Sequence, residues 1–122
     1  MEKSYNAEDL RDTMRNKWST RTNHVEFTLP NDEHGVVWLM SYRSLVAGYH
    51  KETKTIYLFP RHAYSSTTSK HVTQFFRRQL GFRNYFSTQQ RREVITAEQS
   101  TVTLGTGQTF NVQFVPYSIV LW

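Results

Sequence analysis

Apolar positions along the chain switch between two periods. Leu10, Met14 and Trp18 recur every four residues and predict an amphipathic helix over Ala7–Trp18. Asn6 is placed to cap it, since its side-chain oxygen can accept from a free N–H of the first turn. Glu8 and Asp9 stand at the positive end of that helix, Arg15 and Lys17 at the negative end. The stripe is narrow, so this helix packs over a surface rather than crossing a core. From His24 the period falls to two. Val25, Phe27 and Leu29 share one face of a strand, and the turn-forming stretch Pro30–Gly35 ends it. Val36–Tyr42 is a denser apolar run, as in a central strand, and Leu45–Tyr49 continues extended after a bend at Arg43-Ser44. Lys51–Lys54 is a polar turn before a strand over Thr55–Phe59, which Pro60 closes. Together these segments read as an antiparallel meander.

The helical period then returns. The hydroxyl run Ser65–Ser69 offers several N-caps for a helix reaching Leu80, and Gly81 is a suitable terminator. Val72, Phe75, Phe76 and Leu80 make its inner face, while Lys70, Gln74, Arg77 and Arg78 fall on the outer one. Ser87 with Gln90 three residues later predicts a capping box and a short helix over Thr88–Thr96. Strands are expected at Thr101–Leu104 and Thr109–Val115, joined as a hairpin through Gly105–Gly107, and at Ser118–Trp122. No repeat or linker interrupts the pattern.

The expectation is a single globular domain over 1–122, of α+β class: an antiparallel sheet meander with two or three helices packed on one face. Its core should contain Phe27, Val37, Leu39, Val46, Ile56, Leu58, Val72, Phe75, Phe76, Leu80, Val112 and Phe114.

Composition adds two exclusions. Cysteine is absent, which removes disulfides, thiolate metal sites and a thiol nucleophile. The longest apolar run, Val36–Met40, is far short of the roughly 20 residues of a membrane helix, and Met1–Ser4 lacks an apolar signal region. A cytoplasmic protein without a membrane partner is expected.

Charge is uneven along the chain. The net charge is +5, yet no Asp or Glu occurs between Glu52 and Glu93. That stretch carries Lys54, Arg61, Lys70, Arg77, Arg78, Arg83, Arg91 and Arg92, interleaved with Tyr57, Phe59, Tyr64, Phe75, Phe76, Phe82, Tyr85 and Phe86. The rest of the chain is net negative. A basic face with exposed rings attracts phosphate and stacks on bases. The alternative is arginines scattered over solvated surface with the rings inside. Lys70, Gln74, Arg77, Arg78, Arg83, Arg91 and Arg92 are the candidate contacts to an acidic partner or to nucleic acid.

Other chemistry is sparse. Ser66, Thr67 and Thr68, at the start of the second helix and near Lys70, form a candidate anion site, because a helix start carries unpaired N–H groups and partial positive charge. Ordinary capping explains the same residues. No glycine-rich phosphate loop is present. The five histidines show no metal-ligand spacing, and no carboxylate is local to His62 or His71 to orient an imidazole beside the serines. No cofactor and no catalytic set is expected.

The segments Trp38–Ala47 and Tyr64–Phe75 resemble small bacteriophage-encoded proteins, in which a Ser-Tyr-x-x-x-Val strand precedes Tyr-Ser-x-Thr-Thr-Ser-Lys-His and a helix. The resemblance covers Trp38 to Arg78, with Ser44 where those proteins usually have Thr. It implies a phage accessory protein acting in the bacterial host cytoplasm. Two functions follow as expectations. One is an anti-defence inhibitor that binds a host protein or protein–nucleic-acid complex, for instance an anti-CRISPR acting on a nuclease complex. The other is a nucleic-acid-binding accessory protein that uses the region 54–92.

Overall fold

The structure is a computed structural model that describes residues 5–30, 32 and 35–121. The chain order is α1 (Ala7–Lys17), β1 (His24–Phe27), β2 (Val36–Ser41), β3 (Ser44–His50), β4 (Thr55–Leu58), α2 (Ser66–Leu80), α3 (Thr88–Thr96), β5 (Thr101–Thr103), β6 (Thr109–Phe114) and β7 (Ile119–Val120). Strands β1 to β4 form the expected antiparallel meander. Beyond β4 the sheet becomes mixed: β6 lies parallel to β4, and β5 pairs antiparallel with its outer side. The end of the chain folds back, so that the two-residue strand β7 pairs with Ser44 and Leu45 at the start of β3. The fold is α+β with a mostly antiparallel sheet. Among the described residues no helix is long and apolar enough to cross a membrane. Of the Pro30–Gly35 turn, residues 31, 33 and 34 lie outside the described residues, as does Trp122 in the expected last strand.

Both faces of the sheet are covered, by different helices. On one face α2 and α3 bury Val72, Phe75, Phe76, Leu80 and Val94 against Leu39, Ala47, Ile56, Leu58 and Phe110. On the other, α1 brings Leu10 and Met14 onto Trp38, Met40, Tyr57 and Ile119. The dense apolar run of β2 is the direct consequence, since a strand covered on both sides cannot alternate. This second core holds Trp38, Tyr57 and Phe59, which a one-faced alternation leaves out. Ten of the twelve expected core residues are buried. Val37 is half-buried at the edge of the first cluster. Phe114 is 39% exposed, because it sits at the strand end beside a groove next to α3 rather than beneath the helix.

The helix boundaries follow their caps. Asn6 accepts from the amides of Glu8 and Asp9, and Ser87 and Gln90 form the reciprocal capping box of α3. Gly81 ends α2 at φ 102°, a conformation that glycine adopts without a Cβ penalty. Buried Asn84 then fastens the following loop: its amide donates to Leu80 O at 2.9 Å, and its carbonyl oxygen accepts from the Thr106 hydroxyl at 2.7 Å in the β5–β6 turn.

Candidate nucleic-acid interface

Helix α2 sorts its side chains as the spacing requires. Val72, Phe75, Phe76 and Leu80 point inward, and Lys70, Gln74, Arg77 and Arg78 are exposed. Lys70, Gln74 and Arg77 line a shallow groove of about 320 Å³ with Tyr85 and the hydroxyls of Ser69, Thr73 and Thr88. Beyond it, the Arg77 guanidinium lies 4.3 Å from the centre of the Phe82 ring, which is 72% exposed. Arg83 and Arg92 are exposed as well. Arg78 turns away from the groove residues and pairs with Glu26 of β1, which also accepts from Gln79 at 3.2 Å.

Two candidate residues, one from this surface and one from the anion site at the start of α2, stand elsewhere. Arg91 is fully buried. Its Nε donates to His62 Nδ1 at 3.2 Å, and its terminal nitrogens donate to Phe86 O at 2.8 Å, Ser69 O at 3.3 Å and the hydroxyls of Thr73 and Thr88 at 3.0 Å. The physical reason is its place on α3: Arg91 shares the inward face with Val94 three residues on. Burial lowers its pKa to about 10, so it remains a cation at neutral pH, and the same burial with the neighbouring cations pushes His62 down to about 4. Thr68 is the second case. It is buried, its amide donates to the Ser65 hydroxyl at 3.1 Å, and its own hydroxyl meets Ser65 and Ser41. Only Ser66 and Thr67 of the candidate anion site remain exposed.

A larger cleft of about 780 Å³ opens at the other end of α2. The loop from Trp18 to Asn23 forms one wall, the β2–β3 turn at Tyr42-Arg43 another, and Arg61, Tyr64, Ser65 and Thr67 a third. Among the described residues the lining holds Arg21, Arg43 and Arg61 and no Asp or Glu. The Arg43 guanidinium sits 4.5 Å from the centre of the Trp18 ring, and that of Arg61 4.6 Å from the centre of Tyr64. At the floor the Ser41 hydroxyl lies 2.9 Å from His71 Nδ1 and 3.1 Å from the Thr68 hydroxyl. The His71 ring packs on His24 at 4.4 Å between centres, and burial, with His24 beside it, lowers its pKa. Tyr42 holds φ 55°, an uncommon conformation for an aromatic residue. The separate segments that build this cleft carry no contiguous motif, although Tyr42 and Tyr64 each lie within stretches singled out by the resemblance. Among the described residues no three His, Asp or Glu side chains converge as metal ligands.

Comparison with known families matches residues 9–96 to a family of unknown function, DUF8033. The chain belongs to this family. The comparisons with curated proteins and with solved structures found no match. The DUF8033 region runs from α1 to the end of α3 and leaves out β5, β6 and β7. It contains the whole groove along α2 and, Val120 apart, every residue lining the cleft.

Proposed function

We propose that the protein binds single-stranded nucleic acid along the outer face of α2. The observation that carries this reading is the Arg77–Phe82 pair beside the Lys70–Gln74–Tyr85 groove. An arginine held by a ring keeps its charge and its hydrogen-bond donors for a phosphate, whereas one held by a carboxylate is neutralised. Arg15 and Arg78 are of the second kind, on Asp12 and Glu26. Among the described residues Arg77 is of the first. Phe82 and Tyr85 are exposed, and a ring in solvent beside cations offers a stacking platform that accepts any base.

Fluorescence anisotropy with a labelled single-stranded oligonucleotide tests the reading. Wild-type protein should bind with an affinity that falls steeply with salt. Arg77→Ala and Tyr85→Ala should each weaken binding, and Arg77→Glu combined with Arg78→Glu should abolish it in a protein that remains folded. Undiminished binding by the folded double variant would sink the reading.

The exposed Phe82 ring with its arginine also suits the second reading, a phage accessory protein that inhibits a host factor. An aromatic–arginine pair is a common anchor of protein interfaces. Capture of a host protein that survives nuclease treatment and is lost in Phe82→Ala favours this reading. Capture that disappears with nuclease favours the first.

A further inference from the structure

We propose that the cleft between the Trp18–Asn23 loop and the β2–β3 turn is a small-molecule site for a phosphorylated nucleoside. It shares no lining residue with the groove along α2, so it goes beyond the nucleic-acid reading and does not depend on it. Its volume of about 780 Å³ lies within the range of roughly 300–1,000 Å³ that small ligands occupy, and far exceeds what a bare phosphate fills.

The chemistry of the lining selects the ligand class. Arg21 and Arg43 line the cleft together with Arg61, and no Asp or Glu stands among its described lining residues, so an anion entering it meets arginine side chains. Arg43 is held by the Trp18 ring, and among the described residues it has no carboxylate partner. Its position is fixed while its N–H fork stays available, the arrangement that bidentate phosphate recognition uses. The exposed ring of Tyr42 and that of Tyr64 stand at the rim, where a planar base can stack. Anion and ring recognition in one cleft of this size point to a nucleotide rather than to a simple anion or a purely apolar ligand.

The walls are also fixed in advance. The Tyr42 amide donates to Asn23 O at 2.8 Å, which ties the turn to the opposite loop. The floor is cross-linked by the hydroxyls of Ser41 and Thr68 and by His71. Tyr42 is kept at a positive φ, strain that persists only where the surroundings enforce it. A rigid site loses less freedom when its ligand binds.

Isothermal titration of the full chain with ADP, GDP, CDP and UDP tests the proposal, with adenosine and pyrophosphate as the separated halves. At least one diphosphate should bind, and more tightly than either half. Arg43→Ala should weaken it by about tenfold or more, the scale of one lost charged hydrogen bond. Arg43→Lys keeps the charge without the fork and should fall between. Arg77→Ala, towards the other end of α2, should leave nucleotide binding unchanged while it weakens the oligonucleotide, so the two readings fail separately. Absence of heat with all four diphosphates overturns the proposal. So does binding that folded Arg43→Ala and Arg21→Ala proteins retain in full.

Discussion

The Nε–H of Arg91 is donated to Nδ1 of His62, 3.2 Å away and inside the protein. The bond requires His62 to be unprotonated at that nitrogen, and burial beside Arg91 and Arg92 lowers its pKa from 6.5 to about 4. Between these values the unfolded chain holds the extra proton and the folded chain does not. Stability is therefore complete above pH 6.5 and declines as the pH falls towards 4. The decline attributable to this residue should reach about 3 kcal/mol. Urea unfolding of wild type and of His62→Asn at pH 7 and pH 4.5 checks it. The variant should lose less on acidification, and equal losses would show that His62 does not titrate in this way.

Arg91 itself should behave as a residue of the interior. Its donors serve two backbone carbonyls, two threonine hydroxyls and an imidazole, and a lysine cannot reproduce that fork. Arg91→Lys should cost about 2–3 kcal/mol through lost charge-assisted hydrogen bonds. Arg92→Lys, at the exposed next position, should leave the unfolding midpoint within error.

Gly48 and Trp38 face each other across the β2–β3 ladder, and the indole occupies the space that a side chain on Gly48 needs. Trp38 is fully buried and has no room to retreat. Gly48→Ala should destabilise by about 1–3 kcal/mol through overpacking, despite adding an apolar group. A melting temperature equal to wild type would show that the second core is looser than its packing indicates.

Salt dependence should separate the two neighbouring arginines of α2. Arg77 lies on a ring and Arg78 on Glu26. Arg77→Ala should reduce the log–log salt slope of oligonucleotide binding by about one contact. Arg78→Ala should change it little, because its charge is already matched by Glu26. Equal slopes for the two variants would place Arg77 outside the contact surface.

The helices were the legible part of the chain because their signals are local. The Ser87–Gln90 capping box and the hydroxyls before Val72 mark the starts of α3 and α2, and Gly81 marks an end. The outer face of α2 was legible for the same reason, with Lys70, Gln74, Arg77 and Arg78 all exposed. The run of charge around Arg91 hides its helical phase, which its spacing from Val94 and Ile95 puts on the inner side. The cleft was not legible as a unit, since it joins loop, turn and helix segments more than 20 residues apart in places. The parallel pairing of β6 with β4 was equally hidden. Alternation within a strand says which face is buried and not which neighbour it takes.

That parallel pairing sets an order of events during synthesis. Strand β4 is made immediately after its antiparallel partner β3, but its other edge has to wait until α2, α3 and β5 have followed. In the interval Thr55–Leu58 and the adjacent Phe59 present an open, apolar edge, the kind that recruits other chains. Closing it joins Thr55 to Asn111, a distant pairing that is exceeded in the sheet by that of β3 with β7, and distant pairings are slow to find. A chain cut at the end of α3 would carry every residue of the groove and most of those of the cleft, yet would leave β4 open to pairing with its neighbours.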